Sequence, residues 1–569
     1  MTLRLTHPAV FALIAAVSFG TPISAADGIA GPYLAGRLAS VAKDYRQAAG
    51  YFSRALIADP ANPQFLENAI LSQIAAGESA RALPMAAQMD HLKVESQGAN
   101  MLTFATLARD GDFAGILTAL EAGRSAGTLV DGLLKAWAMV GEGRMTDAIA
   151  AFDDVAKIEG LQAFGLYHKA LALASVGDFE GADKILSSDA EGPLRVTRRG
   201  VIAHAEVLSQ LERAPDAVEL VSAAFGDTLD PGLVKVRDDL KTGKPLPFTI
   251  APDAKAGIAE VFFTVAGAMG GENADIYTLS YARLAQYIAP GHIDAILLAA
   301  QLLERDKQFD LATAAYNLIP ADDAAWHVAE LGRANALIQA DRMDAAIEVL
   351  TQLSKARPEL AIVWTNLGDT LRRQDRFPEA VAAYEKALGT FASEQPGQWT
   401  IHYALGIATE RQKLWPDAEV HFRKALALNP DQPQVLNYLG YGLLERREKL
   451  DEALGMIEQA VKAQPDSGYI VDSLGWGFYL LGRYPEAVAQ MERAIELMPI
   501  DPVVNDHLGD VYWAVGRKLE AEFQWKRALS FEPDTEAEAA RIRRKLEVGL
   551  EVVLKEEGAA PLAVTENKN

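Results

Sequence analysis

The chain has 569 residues, half of them hydrophobic and 23% charged, a composition suited to globular structure. Its 77 acidic against 54 basic residues leave a formal net charge of −23, which repels phosphate backbones and anionic lipid surfaces and argues against nucleic acid as a partner. The absence of cysteine excludes a disulfide framework, a thiolate nucleophile, a zinc-finger or iron–sulfur ligand set and a cysteine-linked lipid.

Residues 1–26 read as a secretory signal peptide. Arg4 supplies the positive end, and the apolar run Ala9–Phe19 falls short of the ~20 residues that span a bilayer. Ser24 and Ala26 are the small residues of a processing site, with cleavage expected before Asp27. The alternative is an uncleaved membrane anchor. No later segment is long enough to span: the run Val261–Met269 is short and follows Glu260. The mature chain is therefore expected to be exported and periplasmic, without an integral span, where a lone thiol would be a liability.

From residue 27 onward one position, mostly a small residue, recurs at steps that are mostly 34, with 38 from 368 to 406 and 35 from 440 to 475: Gly36, Ile70, about Thr103, Ala136, Ala170 and Ala205, then Ala266, Ala300, Ala334, Gly368, Gly406, Gly440, Gly475 and Gly509. The one badly broken step, 205 to 266, contains Pro231, Gly243, Pro245, Pro247 and Pro252. This predicts a diverged array over 27–225, a degenerate unit and linker over 226–256, and a second array over 257–533. In the later copies the pattern is fuller. Trp364-Thr-Asn-Leu-Gly368, Val471-Asp-Ser-Leu-Gly475 and Asn505-Asp-His-Leu-Gly509 are each followed by Ala380, Ala487 and Ala521. Tyr384, Met491 and Trp525 come next, then Ala387, Ala494 and Ala528, with Pro499 and Pro533 closing two of the units. The pattern resembles the tetratricopeptide repeat, a helix–turn–helix of about 34 residues. The resemblance implies an all-α fold, an α-α superhelix of about fourteen helix–turn–helix units. The glycine marks where two helices cross, the bulky residue fills the gap beside it, and proline ends the second helix. The run 534–557, with Ile542, Leu546, Leu550 and Val553 at helical spacing, is expected to cap the last unit as one helix. Arg541, Arg543, Arg544 and Lys545 on it read as a solvated face, with an anionic docking site as the alternative, and 558–569 as a disordered tail.

Catalytic signals are missing. No two of the nine histidines stand four apart, so no helical metal pair is predicted. No phosphate-binding glycine loop or nucleophile elbow occurs, and Ser40-Val-Ala-Lys43 matches a serine–lysine spacing with no supporting motif. The chain reads as a non-enzyme without cofactor or metal.

In the resembled family the first helices line a concave groove, through positions three before, one after and four after the crossing residue. Carried onto this sequence, these are Thr365, Asp369 and Arg372, with Arg373 beside them, then Tyr403, Ile407 and Glu410, with Arg411 adjacent. Asn437, Tyr441 and Leu444 follow, then Asp472, Trp476 and Tyr479, and finally Asp506, Asp510 and Trp513. Tyr, Trp and Arg dominate binding energy at interfaces, so an extended peptide lying on these residues is expected. The alternative places the aromatics in the helix packing. The Lys/Asn clamp of co-chaperone repeats is absent, since Thr365, Asp369, Asp472 and Asp506 stand at its positions. Asp506 and Asp510 are expected to favour a cationic or neutral segment, and Arg372, Arg373 and Arg411 an anionic one.

Residues 430–530, with Leu436-Asn-Tyr-Leu-Gly440-Tyr, Asp472-Ser-Leu-Gly-Trp476 and His507-Leu-Gly-Asp510-Val-Tyr-Trp513, are similar to bacterial exported repeat proteins. Among these are outer-membrane adaptors that bring cell-wall hydrolases to a carboxyl-terminal processing protease. The resemblance implies a protein-binding envelope adaptor, although those adaptors carry a lipid on a cysteine that this chain lacks. Two further readings are a glycan-holding module of a cell-wall assembly and a scaffold that docks partners on its convex face.

Overall fold

A computed structural model describes residues 29–187, 196–226, 229–271, 275–559 and 561–562, so the expected signal segment and most of the 558–569 tail lie outside it. Among the described residues there are thirty-one α-helices and no strand, the all-α architecture of an α-α superhelix. The helices follow one another as fourteen pairs, six before and eight after the lone helix Pro231–Lys241, with two further helices at the end.

Local sequence sets each pair. Side chains of Asp44, Asn62, Asp112, Asp178 and Asp501 accept hydrogen bonds from free backbone N–H groups at helix starts. Proline stands at the first turn of Pro63–Ala75, Pro433–Glu445 and Pro502–Ala514, where its missing N–H costs nothing. The turn within a pair needs one left-handed residue: Gly482 and Gly516 supply it freely, whereas Lys43, Asp375 and Lys413 adopt φ of 58°, 55° and 63° with a Cβ present.

The crossing glycines do what the 34-residue pattern assigns them. A Cβ on Gly36 would meet the Phe52 ring at 2.9 Å, and one on Gly368 would meet Tyr384 at 2.5 Å. Gly406, Gly475 and Gly509 face Phe422, Met491 and Trp525 in the same way. In the early copies the role passes to buried Ile70, Ala136, Ala170 and Ala205. The third copy differs from expectation by one residue: Leu102 is fully buried, whereas Thr103 is half-buried and donates to the Ala99 carbonyl at 2.8 Å.

The described chain divides into two compact units, one running to Val349 and one starting at Leu350. The break therefore does not fall at the 226–256 segment, because the helices after that segment fold back onto the first array. Ala254–Met269 and Ile276–Ile288 lie against the first helices Pro63–Ala75, Gln97–Asp110, Thr128–Gly141 and Gln162–Ser175. These are the helices that would line an open groove, so in this unit the groove is filled by the chain itself. Gly257 rests on the Trp137 indole, and Trp137 Nε1 lies 3.2 Å from His168 Nδ1. Glu260, with no exposed surface, is met by Arg199 at 2.7 Å, His292 at 3.2 Å and Tyr167 at 3.1 Å. The connecting stretch is also docked: Leu246 N donates to Ser209 at 2.9 Å and Thr249 N to Glu206 at 2.8 Å.

In the second unit the five helix pairs from Ala361–Arg373/Phe377–Gly389 to Pro502–Ala514/Lys518–Ser530 stack with their first helices side by side. The expected single capping helix is two, Glu536–Val548 and Leu550–Glu556, broken at Gly549 with φ 85°. A capping box at Thr535 and Glu538 starts the first.

Candidate partner-binding groove

The groove positions of the second unit divide into an open stretch and a closed end. The open stretch is a pocket of about 840 Å³ between the first helices Trp399–Glu410, Pro433–Glu445, Gly468–Leu480 and Pro502–Ala514. It brings together six of the expected residues, Tyr403, Glu410, Arg411, Asn437, Tyr441 and Asp472. It also recruits Trp415, Tyr438, Glu445, Tyr469 and His507, which the three-position rule passes over. Tyr438 and His507 each stand two before a crossing glycine, and that recurrence is a signal the sequence offered.

Tyr403 and Tyr438 meet edge to face at 6.1 Å, and Tyr438 lies against Phe422 at 5.1 Å, which fixes both phenols as walls. Trp415 reaches the pocket because Gly442 leaves room for its ring, and the Arg446 guanidinium covers that ring at 4.0 Å. Two buried polar atoms here have no protein partner: Asn437 Oδ1 and Trp415 Nε1, on side chains each 7% exposed.

Along the next wall, His507 stacks on Trp476 at 4.0 Å and Trp476 on Tyr479 at 4.7 Å. Asp472 accepts from His507 Nδ1 at 3.1 Å. Burial pushes the imidazole down, but Asp472, with Asp506 and Asp510 beyond it, overrides this and holds it above its ordinary value. Trp476 is half-buried and donates to Glu445 at 2.8 Å, whereas Tyr479 is buried within the helix packing. Burial, then the carboxylates Glu445 and Asp472, raise the Tyr441 phenol above its ordinary range, so this side of the pocket is electronegative.

The closed end departs from expectation. Asp506 and Asp510 do not face a vacant groove, because the capping helix Glu536–Val548 crosses them. Lys545, its side chain without exposed surface, bonds Asp506 at 2.8 Å and Asp510 at 2.6 Å, and Arg541 stands 3.7 Å from Asp510. Trp513 donates to Glu551 at 2.6 Å and packs on Trp525. The cap's basic cluster is likewise paired, not merely solvated: Arg543 reaches Glu536, and Arg544 reaches Glu547 and Glu556. At the other end, Arg372 is spent on Tyr384 at 3.3 Å and Asp369 at 3.7 Å, whereas Arg373 is exposed.

Among the described residues no group of three or more His, Asp or Glu side chains could hold a metal ion, and no helix is long and apolar enough to cross a membrane. His402 and His421 do meet, with Nδ1 atoms 3.4 Å apart and burial holding His402 down to about 4, a pair that helical spacing within one helix could not reveal.

Comparison with known proteins places tetratricopeptide repeats at residues 359–431 and 442–502. A TPR repeat-containing protein of Pseudomonas aeruginosa is 29% identical over 156 residues, 27% of this chain and 26% of that one. A lipoprotein NlpI homolog of Haemophilus influenzae is 36% identical over 100 residues, 17% of this chain and 30% of that one. The chain thus spans under a third of either relative's length. A solved tetratricopeptide repeat protein from Parabacteroides merdae matches 45% of this chain and 98% of its own at 15% identity, with a TM-score of 0.37.

Proposed function

We propose that this chain, whose tetratricopeptide repeats form a protein-interaction scaffold, is an exported envelope adaptor that holds an extended segment of a partner protein in the second unit's open pocket. The observation that carries the reading is a pocket of about 840 Å³ that crosses the first helices of four successive repeats and is walled by Tyr403, Tyr438, Tyr441 and Tyr469. An extended peptide laid across these helices would bury its side chains against the tyrosine faces. The filled groove of the first unit confines the reading to the second. Export is supported by the Arg4, Ala9–Phe19, Ser24 and Ala26 pattern. Binding without catalysis is the role proposed, and the partners proposed are a carboxyl-terminal processing protease and the cell-wall hydrolases it would receive.

The test is capture of envelope proteins on the immobilised chain, with Asn437→Ala and Tyr469→Ala as comparisons, since Tyr469 lines the pocket and is 46% exposed. Retention of a protease of that type or of wall hydrolases by the native chain, reduced in both variants at unchanged melting temperature, is expected. Equal retention by all three proteins moves binding out of the pocket. Retention of isolated wall glycan in place of protein replaces the reading with the glycan module.

A further inference from the structure

The residues five past the crossing glycines Gly368, Gly406 and Gly440 are Arg373, Arg411 and Glu445, equivalent positions on three successive first helices. Those at the same place beyond Gly475 and Gly509 are Leu480 and Ala514, so the charge along this row runs positive, positive, negative, neutral, neutral. Arg411 and Glu445 both line the pocket.

Most other charges lining the pocket are already compensated. Arg446 lies 3.8 Å from Glu410 while it covers Trp415, and Asp472 is held by His507 at 3.1 Å. Glu445 is different. Its 2.8 Å bond comes from the neutral indole of Trp476, and among the described residues no cationic group stands within 4.0 Å of it. Arg411 is 62% exposed and meets Glu410 only at 4.0 Å, the same carboxylate that Arg446 approaches more closely. The pocket therefore presents a weakly paired cation on one helix and, on the next, an anion without a cationic partner among the described residues.

Resting on the scaffold reading, we infer that the pocket selects an extended peptide segment bearing one acidic and one basic side chain, the acidic one set against Arg411 and the basic one against Glu445. First helices of successive repeats stand ~10 Å or slightly more apart, about three to four residues of extended chain. Long side chains at either end widen the allowed separation to about two to five residues. The two charges together fix the register and direction of the segment. Arg373 extends the positive side by one helix, and a second acidic residue beyond the first is accommodated there.

The probes are pools of synthetic nonapeptides with one Glu and one Lys fixed at separations from one to seven residues, in both orders, all other positions randomised over uncharged residues. They are passed over the immobilised full chain. Retention is expected to peak at separations of about two to five and to favour one order. Glu445→Gln and Arg411→Gln are each expected to lower retention of the preferred pool about three- to tenfold, with melting unchanged because both side chains are exposed. The exchange Glu445→Arg with Arg411→Glu is expected to invert the preferred order. Retention indifferent to order and separation overturns the inference, as does an order preference that survives the exchange, retention of no pool, or retention of wall glycan alone. The protein-capture test leaves Glu445 and Arg411 intact, so a captured partner together with charge-blind peptide retention removes this inference and leaves the scaffold reading standing.

Discussion

Substituting Lys545→Met removes a buried ammonium and leaves two carboxylates facing an apolar chain of similar length. Lys545 bonds both oxygens of Asp506 and of Asp510, at 2.6 to 2.8 Å, with no exposed side-chain surface. Breaking one partner out of a buried pair costs about 3–5 kcal/mol, because the remaining charge stays desolvated. Arg541, 3.7 to 3.8 Å from the same two acids, offsets part of this, so about 3 kcal/mol is expected. The loss cannot exceed the free energy of undocking the cap, which buries Ile542, Leu550 and Val553 at roughly 2 kcal/mol each before ordering costs. It should therefore appear as local opening of the last repeat and cap, not as global collapse. Burial raises Asp510 above its ordinary value, Lys545 acts to hold it down, and Asp506 raises it again. Without the lysine the rise deepens. A carboxyl that binds its proton more tightly when folded adds stability as pH falls, so the deficit should be greatest near neutrality and shrink on acidification. Urea unfolding followed by tryptophan fluorescence, with amide exchange of Pro502–Ala514, measures both effects. A loss below about 1 kcal/mol, or a deficit that grows on acidification, would refute the assignment of Lys545 as the latch.

His507 carries a raised imidazole, so its contribution to stability is complete below about pH 6.5 and fades as pH rises through the folded value. Asp472→Asn should abolish that slope, as read from thermal melts between pH 5 and pH 9. Gly509→Val should destabilise the last repeat by about 2 kcal/mol or more, since the added carbons fall on the Trp525 ring; chemical denaturation at the wild-type level would sink the crossing-residue argument. Asp375→Gly, at an exposed turn residue with φ 55°, should stabilise by about 0.5–1 kcal/mol, and a loss in thermal melting would show that the side chain is needed there.

The repeat geometry was legible because it depends on residues a fixed distance apart. Gly368 implies something bulky sixteen positions on, and Tyr384 is there with its hydroxyl donating to Asp369. The groove was legible in part for the same reason. Asn437 and Tyr441 fall where the three-position rule puts them, whereas Trp415 enters from a second helix that the rule does not consult. What the period cannot carry is the partner of a side chain that lies outside it. Asp506 and Asp510 look like open acids until Lys545, 39 and 35 residues later, is brought over them by a helix that follows no 34-residue phase. Glu260 gave no hint either, since an acid inside an apolar run is explicable only once Arg199 and His292 are seen around it.

The filled groove of the first unit bears on how that unit comes into being. Glu260 meets Tyr167 and Arg199 across 93 and 61 residues, and Asp306 meets Lys43 and Tyr45 across 263 and 261. An ordinary solenoid closes neighbour upon neighbour and can begin anywhere. Here the early helix pairs have to wait, with apolar faces bare, until residues as late as Ile288 arrive to cover them. A chain delivered amino end first therefore passes through a long interval in which it is sticky and incomplete, and its closure is slow because the loops are large. Shortening the chain from its far end should remove pairs of the second unit one at a time, whereas any cut ahead of residue 288 should forfeit the first unit altogether.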